Sequence, residues 1–335
     1  MAAGAAPGLA DATIIEALRD SYGIRVASLR FLPVGNDAAS WAYRVQAAQG
    51  PRYFLKVRAG AGPMPGAAVP GHLHRLGVPH VLAPLATGAG APYVPVGRFA
   101  LALFPLLRAG PGAEVGLSPA HWRQLGDTLR QIHAVPPTRE LTGMVGREAF
   151  RPSRRELLPQ LEALLATRAT HDPVAAELAG FWRARHDVIH QLVERADGLG
   201  RQLARGRFPQ VLCHADLHTW NVLIDADQQL WIVDWDEAVL APRERDLMFV
   251  VGGIGHGLVR PRDTACFFQG YGKARIDRRL LAYYRCVWAV QDIAAYGESV
   301  LLLPTLGEEA RHAAVAGFMD LFEPGNIVEL ASTRE

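Results

Sequence analysis

The residues of this sequence that are best suited to chemistry lie close together in its second half. His214 and Asp216 are followed, after four further residues, by Asn221, and Asp234 and Asp236 come shortly after. A carboxylate and an amide oxygen held together are hard oxygen ligands of the kind that Mg²⁺ prefers, with phosphates and water completing the site. If Asn221 and Asp234 bind the metal, Asp216 is free to take the proton from an attacking hydroxyl. This division of labour is that of phosphoryl transfer.

A β-hairpin is the element expected to hold these side chains together. Two apolar runs flank a polar tip, which is the pattern of two strands joined by a tight turn. With the turn centred between residues 227 and 228, Ile224 faces Trp231 and Asn221 faces Asp234. The open end of the hairpin therefore brings the two candidate metal ligands side by side.

The first hundred residues are predicted to form mostly antiparallel sheet. Alternating apolar residues indicate strands at 24–34, 40–47 and 52–58, after a helix at 12–22. The third strand contains Lys56, and the chain has only one other lysine, whereas Lys and Arg together number 35. Arginine supplies nearly all of the positive charge, so the position of each lysine is informative.

Helices dominate after Pro105, where the spacing of apolar residues changes. The helices predicted there are 118–134, 153–167 and 173–204, and the chain is again mostly helical after the hairpin. One short helix, 69–76, is predicted earlier, within the sheet lobe. Further strand-like pieces are 80–85 and 97–104. The expected fold class is α+β with two lobes, a small antiparallel-sheet lobe at 1–104 and a larger, mainly helical lobe at 105–335.

Composition excludes several classes of protein. The formal net charge is only +2 and no long basic run occurs, which argues against a nucleic-acid partner. The three cysteines are odd in number and lack metal-type spacing, which favours a reducing compartment. The longest apolar stretches are far shorter than a membrane span, and the N-terminus has no basic region of a signal peptide. We expect a cytoplasmic protein with no membrane association and no implied protein partner.

The motifs resemble those of the aminoglycoside phosphotransferase family, whose enzymes share the protein-kinase-like fold. His214-Ala215-Asp216, followed by four residues and Asn221, is similar to the catalytic loop H-x-D-x-x-x-x-N of that family. Ile232-Val233-Asp234-Trp235-Asp236 is similar to its metal-binding segment. The resemblance covers most of the chain and implies ATP and Mg²⁺ as cofactors.

The same resemblance implies which residues contact the nucleotide. Lys56 stands where the third strand carries a phosphate-binding lysine, and the turn from Gly35 to Ser40 would cover the phosphates. The lobe junction at Pro105 would face the adenine. Because proline has no N–H, the donor there is expected from a neighbour such as Leu107.

One departure from the family pattern concerns the partner of Lys56. No Asp or Glu occurs between Lys56 and Glu114, so the usual ion pair of this lysine with a helix carboxylate has no candidate. Either a carboxylate comes from elsewhere in the chain, or the phosphates themselves position the lysine.

The catalytic segment is acidic although the chain is not. Residues 214–246 contain six Asp and two Glu against two Arg. Asp236 and Glu237 are candidates to hold a cationic acceptor, and Trp220 and Trp235 neighbour the catalytic residues and are candidates to stack on it. A cationic aminocyclitol fits this field better than an acidic or neutral alcohol.

Within the family, the segments 234–249 and 322–326 look most like the spectinomycin phosphotransferase branch. This resemblance implies transfer of the ATP γ-phosphate to a spectinomycin hydroxyl, the 9-hydroxyl, which would inactivate the antibiotic and confer resistance. His214 and Asp246 are expected to support the site rather than to contact the substrate.

Three alternatives remain open from the sequence. A kinase of the same fold could act on choline, homoserine or a methylthio-sugar, and a non-catalytic nucleotide-binding protein would account for the missing partner of Lys56. The spacing His214-x-Asp216-x-His218 also suits a transition-metal hydrolase. That last alternative leaves Asn221 and Asp234 unexplained.

Overall fold

The computed structural model describes residues 6–33, 39–60, 62–255, 257–303 and 306–333. The chain divides into two compact units. The first comprises Met1–Arg147, Val211–Leu240 and Ala265–Gly272, and the second comprises Glu148–Gln210, Ala241–Thr264 and Lys273–Glu335. Lys56 and all of the motif residues from His214 to Glu237 therefore belong to the first unit.

An antiparallel sheet forms the N-terminal part of the first unit, as predicted. Its described strands are β1 (Val26–Leu32), β2 (Ser40–Ala47), β3 (Arg52–Ala59), β4 (Val94–Val96) and β5 (Phe99–Pro105), in the order β1-β2-β3-β5-β4. Helix α1 (Asp11–Tyr22) packs on one face, where Ile14 and Leu18 join Leu55 and Val57 in an apolar core. Lys56 lies between those two β3 residues, so the alternation of a strand directs its side chain to the opposite face.

Two smaller sheets complete the β-structure of the described residues. One contains β6 (Ala109–Pro111), β9 (Val222–Asp225) and β10 (Leu230–Ile232), and the other contains β7 (Gly146–Arg147), β8 (Val211–Cys213) and β11 (Val239–Ala241). Strands β9 and β10 form the predicted hairpin. Strand β8 leads directly into the loop that contains Asp216.

The register of this hairpin differs by one residue from the prediction. Ile224 pairs with Leu230 rather than with Trp231. Asn221 accordingly faces Val233, and the Val233 N–H donates to the Asn221 carbonyl oxygen at 3.0 Å. Asp234 therefore follows the last paired position instead of occupying it.

The structure of the hairpin tip explains the shift. Residues 226–228 form a three-residue loop in which Gln228 has a φ of 61°, the usual geometry for a hairpin turn of odd length. The Asp225 carboxylate accepts hydrogen bonds from the backbone N–H groups of Asp227 and Gln229, at 2.9 and 2.8 Å. A turn of even length, as predicted, would require different pairing throughout the hairpin.

The helices that follow in the first unit are α2 (Pro65–Arg75), α3 (Gly112–Val115), α4 (Pro119–His133), α5 (Arg139–Met144) and the later part of α9 (Pro261–Tyr271). Of these, α3 contacts β9, and α4 contacts β8 and β10. Helix α4 begins as predicted, because the Ser118 hydroxyl caps it by accepting from the His121 N–H at 3.2 Å. The His121 ring nitrogen Nε2 lies 3.2 Å from the carbonyl oxygen of Gln228, so α4 also contacts the hairpin tip.

The second unit is mainly helical. Its helices are α6 (Leu157–Arg168), α7 (Pro173–Leu203), α8 (Glu244–Leu247), α10 (Arg278–Leu301), α11 (Glu308–Asp320) and α12 (Ile327–Ser332). Helix α10 is the central element, since it packs against α6, α7, α11 and α12. Among the described residues, none of the helices combines the length and the apolar character needed to cross a bilayer.

Several element predictions need correction. Residues 80–85 do not form a strand, since only Val81 makes an isolated bridge there, with Ile232. The helix predicted from residue 69 starts at Pro65, because proline is well suited to a first helical position. The division into lobes at residue 104 stays a prediction.

The crossing of α4 and α9 offers a test of how tightly this scaffold is packed. A Cβ at Gly126 would lie 2.1 Å from the carbonyl oxygen of Phe267, which is backbone and cannot turn away. We expect Gly126→Ala to lower the free energy of unfolding by about 1–3 kcal/mol, as overpacking does. The measurement is urea denaturation.

Gly180→Ala is the matched control, because Gly180 lies in α7 with no atom within 4 Å of its added Cβ. There the better helix propensity of alanine should raise the free energy of unfolding by up to about 1 kcal/mol. Equal effects of the two substitutions would contradict a close helix crossing at Gly126.

Candidate active site

The loop that carries Asp216 is held by the imidazole of His214. This side chain is fully buried, and its Nε2–H donates to the carbonyl oxygen of Val233 at 2.8 Å. Its Nδ1 accepts from the backbone N–H of Asp216 at 3.2 Å. Because the two partners are an obligate acceptor and an obligate donor, the neutral Nε2–H tautomer fits both bonds. His214 thus links the loop to the residue that precedes Asp234.

The amide of Asn221 orients the carboxylate of Asp216. Its Nδ2 donates to the backbone carbonyl and to Oδ2 of Asp216, both at 2.9 Å. The other carboxylate oxygen, Oδ1, is buried, lies 3.2 Å from Nε2 of His218, and accepts no hydrogen bond from any described residue. A buried acceptor without a hydrogen bond is costly, so this atom is ready for an incoming donor.

Two residues of the site have left-handed backbone geometry. Ala215 has a φ of 69° and Asp234 a φ of 63°, which are uncommon values for residues with a Cβ. The first turns the chain between His214 and Asp216, and the second turns it just after the hairpin. Such residues concentrate at functional sites, where the surrounding structure compensates the strain.

Lys56 reaches the same place from the sheet. It lies in the middle of β3 between Ala42 and Ala102, and these small buried neighbours leave room along the sheet for its long side chain. Its Nζ lies 2.9 Å from Oδ1 of Asp234 and 2.5 Å from Oδ2 of Asp236. Two carboxylates therefore hold one ammonium group that is only 16% exposed.

The pKa values of this group of charges follow from the pairing. Burial alone would lower the pKa of Lys56, but the facing charges of Asp234 and Asp236 and their hydrogen bonds hold it above its ordinary value. Burial alone would raise the pKa of Asp234, but the charge and hydrogen bond of Lys56 hold it below the ordinary value. Both groups are therefore charged at neutral pH.

Of the four residues expected to contact the acceptor, two are enclosed by the protein and two are exposed. Asp236 is paired with Lys56 and lies 3.5 Å from Arg58, rather than being open to a substrate. Trp235 is 1% exposed and packs on the His214 ring, so it is a core residue and has no free face for stacking. Glu237 is exposed, and Trp220 is 51% exposed.

Asp246 was expected to brace the site, and it is fully buried in α8. It belongs to the second unit, whereas the loop of Asp216 belongs to the first. Its supporting role stays a prediction.

The expected nucleotide contacts are placed as follows. Gly35 lies outside the described residues, and Ser40 begins β2 opposite Arg58. Pro105 ends β5 and is exposed. The backbone N–H of Leu107 makes no hydrogen bond to any described residue. These nucleotide contacts themselves stay predictions.

The residues at the hairpin end fit a hard divalent cation. Since Asn221 uses its Nδ2 for Asp216, its Oδ1 is the amide atom left to bind a metal. Asp234 offers a half-exposed carboxylate whose Oδ1 contacts Lys56, which leaves Oδ2 for the same ion. One amide and one carboxylate oxygen, completed by phosphates and water, suit Mg²⁺.

A comparison with known families decides the class of this site. A family model described as the phosphotransferase enzyme family matches residues 30–284. The chain belongs to this family. The matched range includes Lys56, Asp216, Asn221 and Asp234, and the phosphotransferase transfers phosphate to an alcohol group.

Solved structures agree on the fold. Two structures of spectinomycin phosphotransferase APH(9)-Ia, one with ADP and spectinomycin and one with AMP, are each 30% identical to this phosphotransferase over 97% of its chain. They are covered to 98% and 99%, with TM-scores of 0.83 and 0.81. An amicoumacin kinase, 15% identical over 96% of this chain and 97% of its own, has a TM-score of 0.63 and shows the fold alone. The protein-kinase-like fold is confirmed.

Sequence reasoning missed the second partner of Lys56. The sequence places Asp236 among the acceptor candidates because it is acidic and follows Asp234 of the expected metal-binding segment. The available signal was the lack of any acid from 57 to 113, which required the partner to come from a distant segment. Gly66, which lies against Asp236, gave no signal of its own.

The bridging role of His214 in this phosphotransferase can be tested with His214→Phe. The substitution keeps a ring but leaves the Asp216 N–H and the Val233 carbonyl without partners. We expect the free energy of unfolding to fall by about 2 kcal/mol or more and phosphate transfer to fall with it, because the loop loses its link to the hairpin. Denaturation and kcat are the measurements.

His74→Phe serves as the control for this prediction, since His74 is an exposed residue of α2. Unchanged stability and kcat in His214→Phe would remove the imidazole from its bridging role.

Proposed function

We propose that this phosphotransferase transfers the γ-phosphate of ATP to a hydroxyl of an aminocyclitol antibiotic, spectinomycin at its 9-hydroxyl, and thereby inactivates it. The observation that carries the proposal is the buried Oδ1 of Asp216, which accepts no hydrogen bond from the described residues although Nε2 of His218 lies 3.2 Å away. A substrate hydroxyl is the donor that this atom lacks. The 30% identity to spectinomycin phosphotransferase over nearly the full length of both chains supports the choice of acceptor.

Asp216 is the proposed general base. Asn221 fixes Oδ2 of its carboxylate, so Oδ1 is the oxygen that accepts the hydroxyl proton. The hydroxyl oxygen then attacks the γ-phosphorus, the bond from that phosphorus to the bridging oxygen breaks, and ADP leaves. A base held in this way contributes mainly by positioning and by accepting the proton as the new bond forms.

Lys56 and the two proposed metal ligands would offset the negative charge of the nucleotide phosphates. The Nζ of Lys56, held in place by its carboxylates, is positioned to contact phosphate oxygens. Asn221 and Asp234 would hold Mg²⁺, which when bound neutralises charge on the phosphates during transfer. The ADP and AMP complexes of the spectinomycin phosphotransferase support an adenine nucleotide as the donor.

A cationic acceptor is supported by the charges near Asp216. Asp236 faces Lys56 and Arg58, and the same segment also contains the carboxylates of Asp216 and of the exposed Glu237. A ligand with ammonium groups would be attracted to them. Trp220, half-exposed next to Asn221, is the aromatic side chain available to contact such a ligand.

The base assignment is tested with Asp216→Asn, which keeps the shape of the side chain but cannot take a proton. We expect kcat to fall by about 10²–10⁴-fold while the dissociation constant for ATP changes little. Asp227→Asn, the same substitution at the exposed hairpin tip, is the control and should leave both values unchanged. A variant at position 216 with normal kcat would exclude Asp216 as the base.

The acceptor is tested by incubating the protein with ATP and Mg²⁺ and a panel of spectinomycin, aminoglycosides, choline, homoserine and a methylthio-sugar. We expect mass spectrometry to show spectinomycin with one added phosphate. Turnover of choline but not of spectinomycin would contradict the proposed acceptor while preserving the reaction. Nucleotide binding without transfer to any acceptor would indicate a non-catalytic protein.

The metal ligands are tested with Asn221→Ala, which removes the amide oxygen. We expect the Mg²⁺ concentration for half-maximal transfer to rise at least about tenfold, since even the outer partners of metal ligands typically contribute 10–100-fold. Titration of activity with Mg²⁺ after treatment with a chelator gives the value. An unchanged Mg²⁺ requirement would show that Asn221 is not a ligand.

A further inference from the structure

Helix α2 lies against Asp236, a partner of the Lys56 ammonium group, but contains no carboxylate of its own that could pair with that ammonium. It runs from Pro65 to Arg75, and every residue in it is uncharged or basic. Lys56 nevertheless has a nearly buried ammonium group, and such a group needs a negative partner. The partner has to be supplied to the same place by another element.

Gly66, the second residue of α2, lies directly against Asp236. A Cβ built on Gly66 would be 2.1 Å from Oδ1 and 3.1 Å from the carboxyl carbon of Asp236. These distances leave no room for any side chain at position 66 while Asp236 keeps its place. The Asp236 carboxylate therefore occupies the volume that a side chain from this turn of the helix would fill.

Both oxygens of Asp236 contact cations of β3. Oδ2 lies 2.5 Å from Nζ of Lys56, and Oδ1 lies 3.5 Å from the guanidinium of Arg58. The Asp236 side chain is 15% exposed, against 49% for Asp234. Asp236 is thus the more enclosed partner of Lys56, and Asp234 is the more open one.

We propose that Asp236 is the positioning residue for Lys56 in place of a carboxylate on α2, and that Gly66 exists in α2 to admit it. The proposal deepens the function proposed above and rests on it. Asp236 holds the ammonium from the side of the helix, so that Asp234 need not bind Lys56 with both of its oxygens. One oxygen of Asp234 then remains for Mg²⁺.

This arrangement predicts what happens when Asp236 is lost. In Asp236→Ala the ammonium of Lys56 has only Asp234 as a partner and competes with the metal for it. We expect KM for Mg²⁺·ATP to rise by about 10–100-fold, the range typical of residues that orient metal ligands. The KM for the acceptor should change much less, because Asp236 does not contact the acceptor.

The strongest test moves the carboxylate back onto the helix. In the double variant Gly66→Asp with Asp236→Ala, the new side chain projects toward the position vacated by the Asp236 oxygens. We expect KM for Mg²⁺·ATP to recover at least tenfold relative to Asp236→Ala alone. If the double variant folds but its KM for Mg²⁺·ATP does not recover, a carboxylate on α2 cannot take the place of Asp236, and the proposal is overturned.

Gly66→Ala tests the space requirement. In the wild-type background the added methyl must displace Asp236, so KM should rise about tenfold or more. In the Asp236→Ala background the same methyl meets an emptied volume, and the further change should be less than about twofold. Residues in contact give such non-additive effects, and equal costs in both backgrounds would contradict the contact.

A spectroscopic readout separates this proposal from the proposed function. The chain has only two lysines, Lys56 and the exposed Lys273, so ¹⁵N-lysine labelling gives two ammonium signals, assigned with Lys273→Arg. We expect a slowly exchanging signal from Lys56 in the wild type, its loss in Asp236→Ala, and its return in the double variant.

These signals need neither nucleotide nor acceptor. If they follow the expected pattern while no acceptor is phosphorylated, the proposed function fails and the positioning of Lys56 stands. If the Lys56 signal is the same in wild type and Asp236→Ala, Asp236 does not position Lys56, even if spectinomycin is phosphorylated.

Discussion

A lysine ammonium that is largely withdrawn from water must be matched by carboxylates, and this requirement organises the first unit. Lys56 is fixed by strand pairing on both sides of β3, so its partners must come to it. Asp234 and Asp236 do so from the chain that leaves the hairpin, and α2 makes room for one of them. Sheet, hairpin and helix are therefore connected through one cation.

The loop that contains Asp216 is held by side chains that give buried polar groups their hydrogen-bond partners. His214 satisfies one backbone donor and one backbone acceptor that would otherwise be buried without partners. Asn221 uses the hydrogens of its amide on Asp216 and keeps the amide oxygen for another ligand. Oδ1 of Asp216 is the exception, because it accepts no hydrogen bond from the described residues, and it is the atom at which we propose that the substrate hydroxyl binds.

The sequence predicted the parts of this site that depend on local order. The motif spacing brought Asp216, Asn221 and Asp234 together, and β2 was predicted at its observed bounds because its apolar residues alternate. The segment 80–85 was mistaken for a strand because apolar content alone does not provide a pairing partner. The contact of Gly66 with Asp236 joins residues far apart in the chain, so no local pattern could reveal it.

The three-residue tip of the hairpin also bears on how members of such a family can diverge. Side chains alternate along a strand, so the number of residues in the turn determines which of them face inward on β10. Gaining or losing one codon between Asp225 and Gln229 would reverse that choice, although the region is exposed and polar. Length variation among natural relatives should therefore be scarce at this surface turn, while substitutions there should accumulate freely.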